Sequence, residues 1–221
     1  RRHGYGVVMV DAARPLQVAS LPPALLADAA RLLAAGMRDN PLHLRVFGAT
    51  QARLEPLLAD AFVRLLDRQR RTGHVLGAFD GERLVGVAAM VAPGHCQPPA
   101  REKATMLRIL ARARSLHRLP RIACWLHAWR RHDPRFDHWH LGPAAVARGR
   151  RGQGIGTRLM EAVCERLDRC GGIGYLETDK PENVRLYRRG GFEEAGRQRV
   201  LGVDNWFMLR HPRSPGPPHC A

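Results

Sequence analysis

The stretch Arg148-Gly149-Arg150-Arg151-Gly152-Gln153-Gly154-Ile155-Gly156 decides how this chain is read. An apolar segment, Leu141 to Val146, runs into it, and an amphipathic pattern from Thr157 to about Arg169 runs out of it. Strand, glycine-rich turn and helix in that order make a phosphate site. Glycines let the backbone approach an anion, and the first helical turn presents N–H groups with no partner inside the helix. The helix dipole and the neighbouring arginines add positive potential.

Outward from the loop, Leu159, Met160, Val163 and Leu167 form the buried stripe of the following helix, and Gly171-Gly172 closes it. Ile173 to Thr178 reads as the next strand and Glu182 to Arg189 as a short helix after Pro181. The last two strands fall at about 193–198 and 206–210. Before the loop, Trp139 to Val146 reads as a strand that contains Pro143. Proline donates no ladder hydrogen bond, so this strand is expected to be irregular or open on one side.

Further upstream, a short strand at Pro15 to Ser20 leads to a helix over 24–37, which Asp39-Asn40-Pro41 breaks. Leu42 to Thr50 reads as an irregular connection, and a second helix covers about Gln51 to Arg71. A hairpin follows, His74–Phe79 and Arg83–Val91 about the Asp80-Gly81 turn. A helical stretch over about 101–131, interrupted near Pro120, is expected to lie on the sheet or over the site. Residues 1–14 read as a loose arm, 15–210 as one domain, and the tail 211–221, with four prolines, as flexible.

Composition narrows the function classes. A 45% hydrophobic and 25% charged chain is that of an ordinary globular protein, and no apolar run approaches the roughly 18 residues of a membrane span. Val7 to Val10 is too short for the apolar core of a secretory leader. Five cysteines without CxxC spacing suit free thiols in a reducing compartment, so a cytoplasmic location is expected. The net charge of +16 raises nucleic-acid binding as a reading. However, all 36 basic residues except Lys103 and Lys180 are arginines scattered over every segment, which suits a GC-rich coding bias. No specific nucleic acid and no membrane partner is expected. Among His127, His132, Asp133, Asp137, His138 and His140, only His138-x-His140 is spaced suggestively, so no metal is expected.

Arg151-Gly152-Gln153-Gly154-Ile155-Gly156 resembles the Arg/Gln-x-x-Gly-x-Gly/Ala signature of the GCN5-related N-acetyltransferase (GNAT) superfamily. Tyr175-Leu176-Glu177-Thr178, Pro181-Glu182-Asn183 and Leu186-Tyr187-Arg188-Arg189-Gly190-Gly191-Phe192 resemble its next strand and its Asn…Tyr…Gly-Phe helix. The likeness covers about 138–210. Trp139-His140-Leu141-Gly142 is similar to puromycin N-acetyltransferase-like members, which act on small molecules.

The resemblance implies an α/β (α+β) fold with a mixed, mostly antiparallel sheet splayed between strands 4 and 5, and acetyl-CoA in the gap. By it, the backbone of Arg151, Gly152, Gln153, Gly154, Ile155 and Gly156, with Thr157 at the helix start, takes the pyrophosphate. Ala145 and Val146 pair with the pantetheine arm, and Asn183 bonds the pantetheine or thiol region. Tyr187 is the acid that protonates the leaving thiolate. Some relatives carry Glu where this chain has His140, so the base is either His140 or Glu177 of the neighbouring strand. The expected activity is N-acetyl transfer to a small-molecule amine by direct attack in a ternary complex, by a monomer or homodimer. A non-catalytic acyl-CoA-binding or regulatory domain, and a protein- or nucleic-acid-associated acetyltransferase, are the alternatives. Arg and His over 38–50, 95–135 and 200–206 hint at an anionic acceptor.

Overall fold

The computed structural model describes residues 15–48, 51–97, 99–100, 104, 107–108, 111 and 116–213. The arm at 1–14, residues 214–221 of the tail and most of 101–115 lie outside the described residues. One seven-stranded sheet runs in the order β1-β2-β3-β4-β5-β7-β6. Its strands are β1 (Gln17–Ser20), β2 (Gly73–Asp80), β3 (Arg83–Val91), β4 (Trp139–Val146), β5 (Gly174–Thr178), β6 (Glu193–Val200) and β7 (Val203–Arg210). Every neighbouring pair is antiparallel except β4 and β5, which are parallel.

The parallel pair needs a crossover, and the chain supplies it with the glycine loop and a helix, α5 (Ile155–Arg169), as parallel strands require. The remaining helices are α1 (Leu26–Met37), α2 (Pro41–Phe47), α3 (Gln51–Thr72), α4 (Leu119–His132) and α6 (Pro181–Arg189). Apolar residues alternate along β2 and β3, so each strand feeds two cores. On one face Val75 and Val87 pack with Leu33 of α1, Leu54 and Leu66 of α3 and Ala128 of α4. On the other, Leu76, Val85 and Met90 pack with Leu159, Val163 and Leu167 of α5, Leu176 and Phe192. Burying a leucine of this kind contributes about 1.5–3 kcal/mol, so these two layers fix the sheet that carries the site.

One reading of the sequence changes. Residues 41–47 are a helix, not an irregular connection. Pro41 sits at the start, where its missing N–H costs nothing. Gly48 at φ +52 ends the helix, and Leu42, Val46 and Phe47 are buried between. The Asn-Pro signal that breaks α1 thus also opens α2. The interruption expected near Pro120 is present: a 3-10 turn at Leu116–Arg118 precedes α4, and Pro120 lies in the first turn of α4.

Candidate active site

The geometry begins with the irregularity in β4. Ala88 faces Ala144 and Met90 faces Leu141, so Gly142 and Pro143 together stand opposite the single residue Ala89. This bulge is where the proline without an N–H is accommodated, as the sequence requires. Gln69 of α3 braces it by donating from Nε2 to the Gly142 carbonyl at 2.6 Å. On its other side β4 pairs with β5 only at Trp139–Gly174 and His140–Tyr175. The strands then part. Among the described residues, the β5-facing edge of β4 from Leu141 to Val146 has no strand partner, and a narrow recess opens there. Leu141, Gly142, Ala144, Met160, Leu176 and Tyr187 line it. Ala145 and Val146 pair with Val87 and Gly86 on the β3 side.

The glycine loop closes one end of the gap. The Ala147 N–H donates to the Val85 carbonyl at 2.9 Å, and Arg148–Arg150 form a short 3-10 turn. Gly152 and Gly154 lie at φ +79 and +78, a region that side chains with a Cβ occupy only at a cost. A Cβ at either would meet nothing within 4 Å, so backbone conformation, not crowding, calls for glycine, and the concave face is open. Gly154 precedes α5, and the N–H groups of Ile155, Gly156 and Thr157 begin a helix without intrahelical acceptors. The Ile155 side chain is buried in the core, so this residue offers the loop its N–H only. Gln153 accepts from Arg150 Nε at 2.7 Å and stiffens the turn.

The Arg151 guanidinium is used elsewhere than at the loop. It donates to the Gly36 carbonyl at the end of α1 at 2.7 Å and lies 3.7 Å from Asp39. Arg148 at 3.9 Å and Lys180 at 2.7 Å converge on the same carboxylate. Burial works to raise the Asp39 carboxyl, but Lys180, Arg151 and Arg148 hold it below its ordinary value. The loop's basic side chains thereby tie α1 to the β5–α6 connection. Asp179, which the sequence reading did not single out, makes a second tie. Its carboxylate accepts from the Leu42 N–H at 2.7 Å and from Asn40 Nδ2 at 3.3 Å.

The thiol-end residues lie on β5 and α6. Tyr187 lines the recess beside Leu176, its ring set edgewise to Phe192 at 6.1 Å. Burial first, then the charges of Asp179 and Glu177, push its hydroxyl up to about 12. Asn183 Nδ2 donates to Thr178 Oγ1 at 3.2 Å, which fixes the amide at the start of α6. The two base candidates are one pair: His140 Nε2 and Glu177 Oε2 are 2.9 Å apart across β4 and β5. Burial opposes charge on the His140 ring, but Glu177 and Cys96 push it up to about 10. His140 therefore holds its proton on Glu177, and the carboxylate is the partner with free acceptor capacity.

The structure also joins Cys96 to His138 and His140, which the sequence reading grouped without it. Cys96, after β3, lies with its Sγ 3.6 Å from His138 Nε2. His138 Nε2 is 3.1 Å from Asp133 Oδ1, while its Nδ1 is 2.9 Å from the Phe136 carbonyl. The Tyr175 ring stands edgewise to His138 and His140 at 5.3 and 5.4 Å. Burial works to raise the Cys96 thiol, but His138 and His140 bring it down to about 7. Burial opposes charge on His138, yet Asp133 and Cys96 push it up to about 10. No spacing could have shown this set, because Cys96 precedes His138 by 42 residues. The available signal was only its place at the end of a core strand.

With this geometry in hand, comparison with known proteins is informative. Residues 46–192 match the Acetyltransferase (GNAT) family, two thirds of the chain. The parted parallel strands, the glycine loop and that match together place the chain in the GNAT acetyltransferase family; it is an acyltransferase. Solved structures share the fold. A histone acetyltransferase and related acetyltransferase structure from Corynebacterium glutamicum superposes with TM-score 0.63 at 20% identity, covering 90% of this chain and 98% of the other. A putative arylalkylamine N-acetyltransferase of the yellow fever mosquito gives 0.61 at 16%, over 89% and 87%. A phosphinothricin acetyltransferase from Sinorhizobium meliloti, in complex with acetyl-CoA, gives 0.58 at 16%, over 89% and 88%. Among the described residues no helix is long and apolar enough to cross a membrane.

Proposed function

We propose that this protein moves the acetyl group of acetyl-CoA onto an amine of a small molecule, by direct attack within a ternary complex. The observation that carries the reading is the parting of β4 and β5 immediately after the His140–Tyr175 pair, with the glycine loop at one end and Tyr187 on the wall. The pyrophosphate sits on the N–H groups of Arg151 to Gly156, with Thr157 in the first turn of α5. The pantetheine lies along the open edge of β4 near Ala145 and Val146, as an added strand would. Asn183 faces the same arm from α6.

The amine nitrogen attacks the thioester carbonyl and the C–S bond breaks. Glu177 takes the proton lost by the amine, and Tyr187 gives one to the departing thiolate. His140 is the positioning residue that holds the Glu177 carboxylate from below. The raised Tyr187 value supports this role, since it keeps the hydroxyl loaded with a proton across the neutral range. Juxtaposing amine and thioester supplies much of the acceleration.

A small acceptor is supported by the likeness of the β4 and β5 sequences to puromycin N-acetyltransferase-like members. It is also supported by the arylalkylamine and phosphinothricin acetyltransferases among the structural neighbours. The free thiols of Cys96, Cys124, Cys164 and Cys170 suit a cytoplasmic enzyme. The test is thiol release from acetyl-CoA across a panel of primary amines, including carboxylate-bearing ones. Turnover with at least one is expected. Firm acetyl-CoA binding with no turnover on any amine would instead identify an acyl-CoA-binding domain.

A further inference from the structure

The buried end of the β4–β5 pair collects polar atoms that the protein does not satisfy. His140 Nδ1 and Tyr175 OH are buried without a hydrogen-bond partner, and both belong to the cluster around His138. Buried polar groups are ordinarily paired, and two unpartnered atoms at one place point to a missing partner.

Each of the two histidines has one ring nitrogen held by an acceptor, which leaves the other as the candidate ligand atom. The Phe136 carbonyl can only accept, so it takes the His138 Nδ1–H, and Nε2, between Cys96 and Asp133, is the nitrogen that a cation would bind in place of a proton. Glu177 can only accept, so it takes the His140 Nε2–H, and the buried Nδ1 is the nitrogen that a cation would bind in place of a proton. Metal-binding histidines show this pattern, the distal N–H donated to a carbonyl or carboxylate. One donor atom from each of Cys96, His138 and His140 lies within 4.8 Å of the others. Ligands at about 2.3 Å for sulfur and 2.0–2.1 Å for nitrogen, at tetrahedral angles, stand about 3.5 Å apart. The Cys96–His138 edge of 3.6 Å already has that length, so closing the site asks only for a small approach of His140 and the Cys96 segment. Asp133 Oδ1 brings an oxygen to the same place, 3.1 Å from His138 Nε2.

We propose that Cys96, His138 and His140 form a binding site for one divalent cation of the zinc class, with Asp133 as the neighbouring oxygen donor. One thiolate and two imidazoles select a borderline-soft ion over calcium or magnesium. The assignment stands on these side chains alone. Its consequence rests on the acetyl-transfer reading: a cation on His140 Nδ1 locks the ring whose other nitrogen positions Glu177.

The test is titration of the full chain, made metal-free and reduced, with Co²⁺ and then Zn²⁺, in the absence of acetyl-CoA and amine. The expected result is one equivalent of Co²⁺ giving the visible bands of a tetrahedral site and a thiolate-to-cobalt charge-transfer band, both erased by Zn²⁺. Cys96→Ser should remove the charge-transfer band and weaken Zn²⁺ by more than about 100-fold, since loss even of an outer partner costs 10–100-fold. Cys124→Ser, on the exposed side of α4, should retain both. His138→Gln serves as a second test should the Cys96 variant melt early. Absence of the bands in the unaltered chain, or their persistence in Cys96→Ser, would overturn the site. Because no substrate is present, that outcome leaves acetyl transfer untouched, while failure of the amine panel leaves this readout unchanged.

Discussion

The two ends of β4 are built in opposite ways. The far end, from Leu141 through Gly156, is contiguous: bulge, glycine loop and helix start follow one another in the chain. The near end is assembled from four places, with Cys96 after β3, Asp133 after α4, His138 and His140 at the start of β4, and Glu177 on β5. The far end works through the backbone, by positive-φ glycines and unpaired N–H groups. The near end works through side chains whose protons are fixed by neighbours. A backbone site tolerates side-chain changes but not changes of conformation; a side-chain site has the opposite sensitivity.

Tyr187→Phe is the sharpest way to separate chemistry from cofactor binding. Its kcat should fall by about 10²–10⁴-fold, with acetyl-CoA affinity held within about twofold as measured by calorimetry, because in the proposed mechanism the hydroxyl meets only the leaving sulfur. Glu177→Gln, at the near end, should lower kcat by roughly 10²-fold in steady-state assays and leave acetyl-CoA binding unaltered. Equal loss of affinity in either variant would merge the two ends.

Gly154→Val acts at the far end alone. A β-branched residue at φ +78 is strained by about 1–3 kcal/mol. The N–H groups at the start of α5 should turn away, lowering acetyl-CoA affinity by roughly ten- to a hundredfold. Cobalt binding at the near end should be unaffected, and a joint loss would show that the ends are one unit.

At the C-terminal end of α5, Asp168 and its partner Arg210 of β7 provide a stability control. The Arg210 side chain is 2% exposed and Asp168 lies 2.7 Å from it. The hydrogen bond from Arg210 is the main reason the Asp168 carboxyl is held below its ordinary value of 3.8. A depressed carboxyl stabilises fully above its unfolded value and loses that contribution as pH falls through the folded one. Asp168→Asn should cost about 2 kcal/mol at neutral pH, since Asp168 is partly solvated and the full buried-pair penalty is reduced. Denaturant curves should show the gap between variant and parent narrowing below pH 3.8. The smallest effect is expected at Arg31→Ala, whose exposed pair with Asp28 should be worth no more than about 0.5 kcal/mol.

The same contrast explains how much the sequence made legible. The glycine loop, α5, the β4 irregularity at Pro143 and the Tyr187 helix are local signals, in which spacing and residue type dictate conformation directly. The hairpin and the sheet class followed from turn chemistry and from the family resemblance. α2 was missed because its seven residues are too few to show a helical period, and its burial comes from tertiary packing. The tie from the Arg151 side chain to the Gly36 carbonyl spans 115 residues, which no local pattern encodes. Joining His140 to Glu177 and Cys96 to His138 needed the sheet register and the course of the chain after β3, neither of which any short spacing encodes.

The central claim is that the backbone of Arg151 to Gly156 holds the pyrophosphate, and that this contact fixes the cofactor. Calorimetric titration with acetyl-CoA and with acetyl-pantetheine, which lacks the pyrophosphate and nucleotide, tests it most directly. The account predicts one-to-one binding of acetyl-CoA and at least about a hundredfold weaker binding of acetyl-pantetheine, the difference of about 2.7 kcal/mol expected when several backbone N–H contacts to an anion are lost. Equal affinity for the two would contradict it.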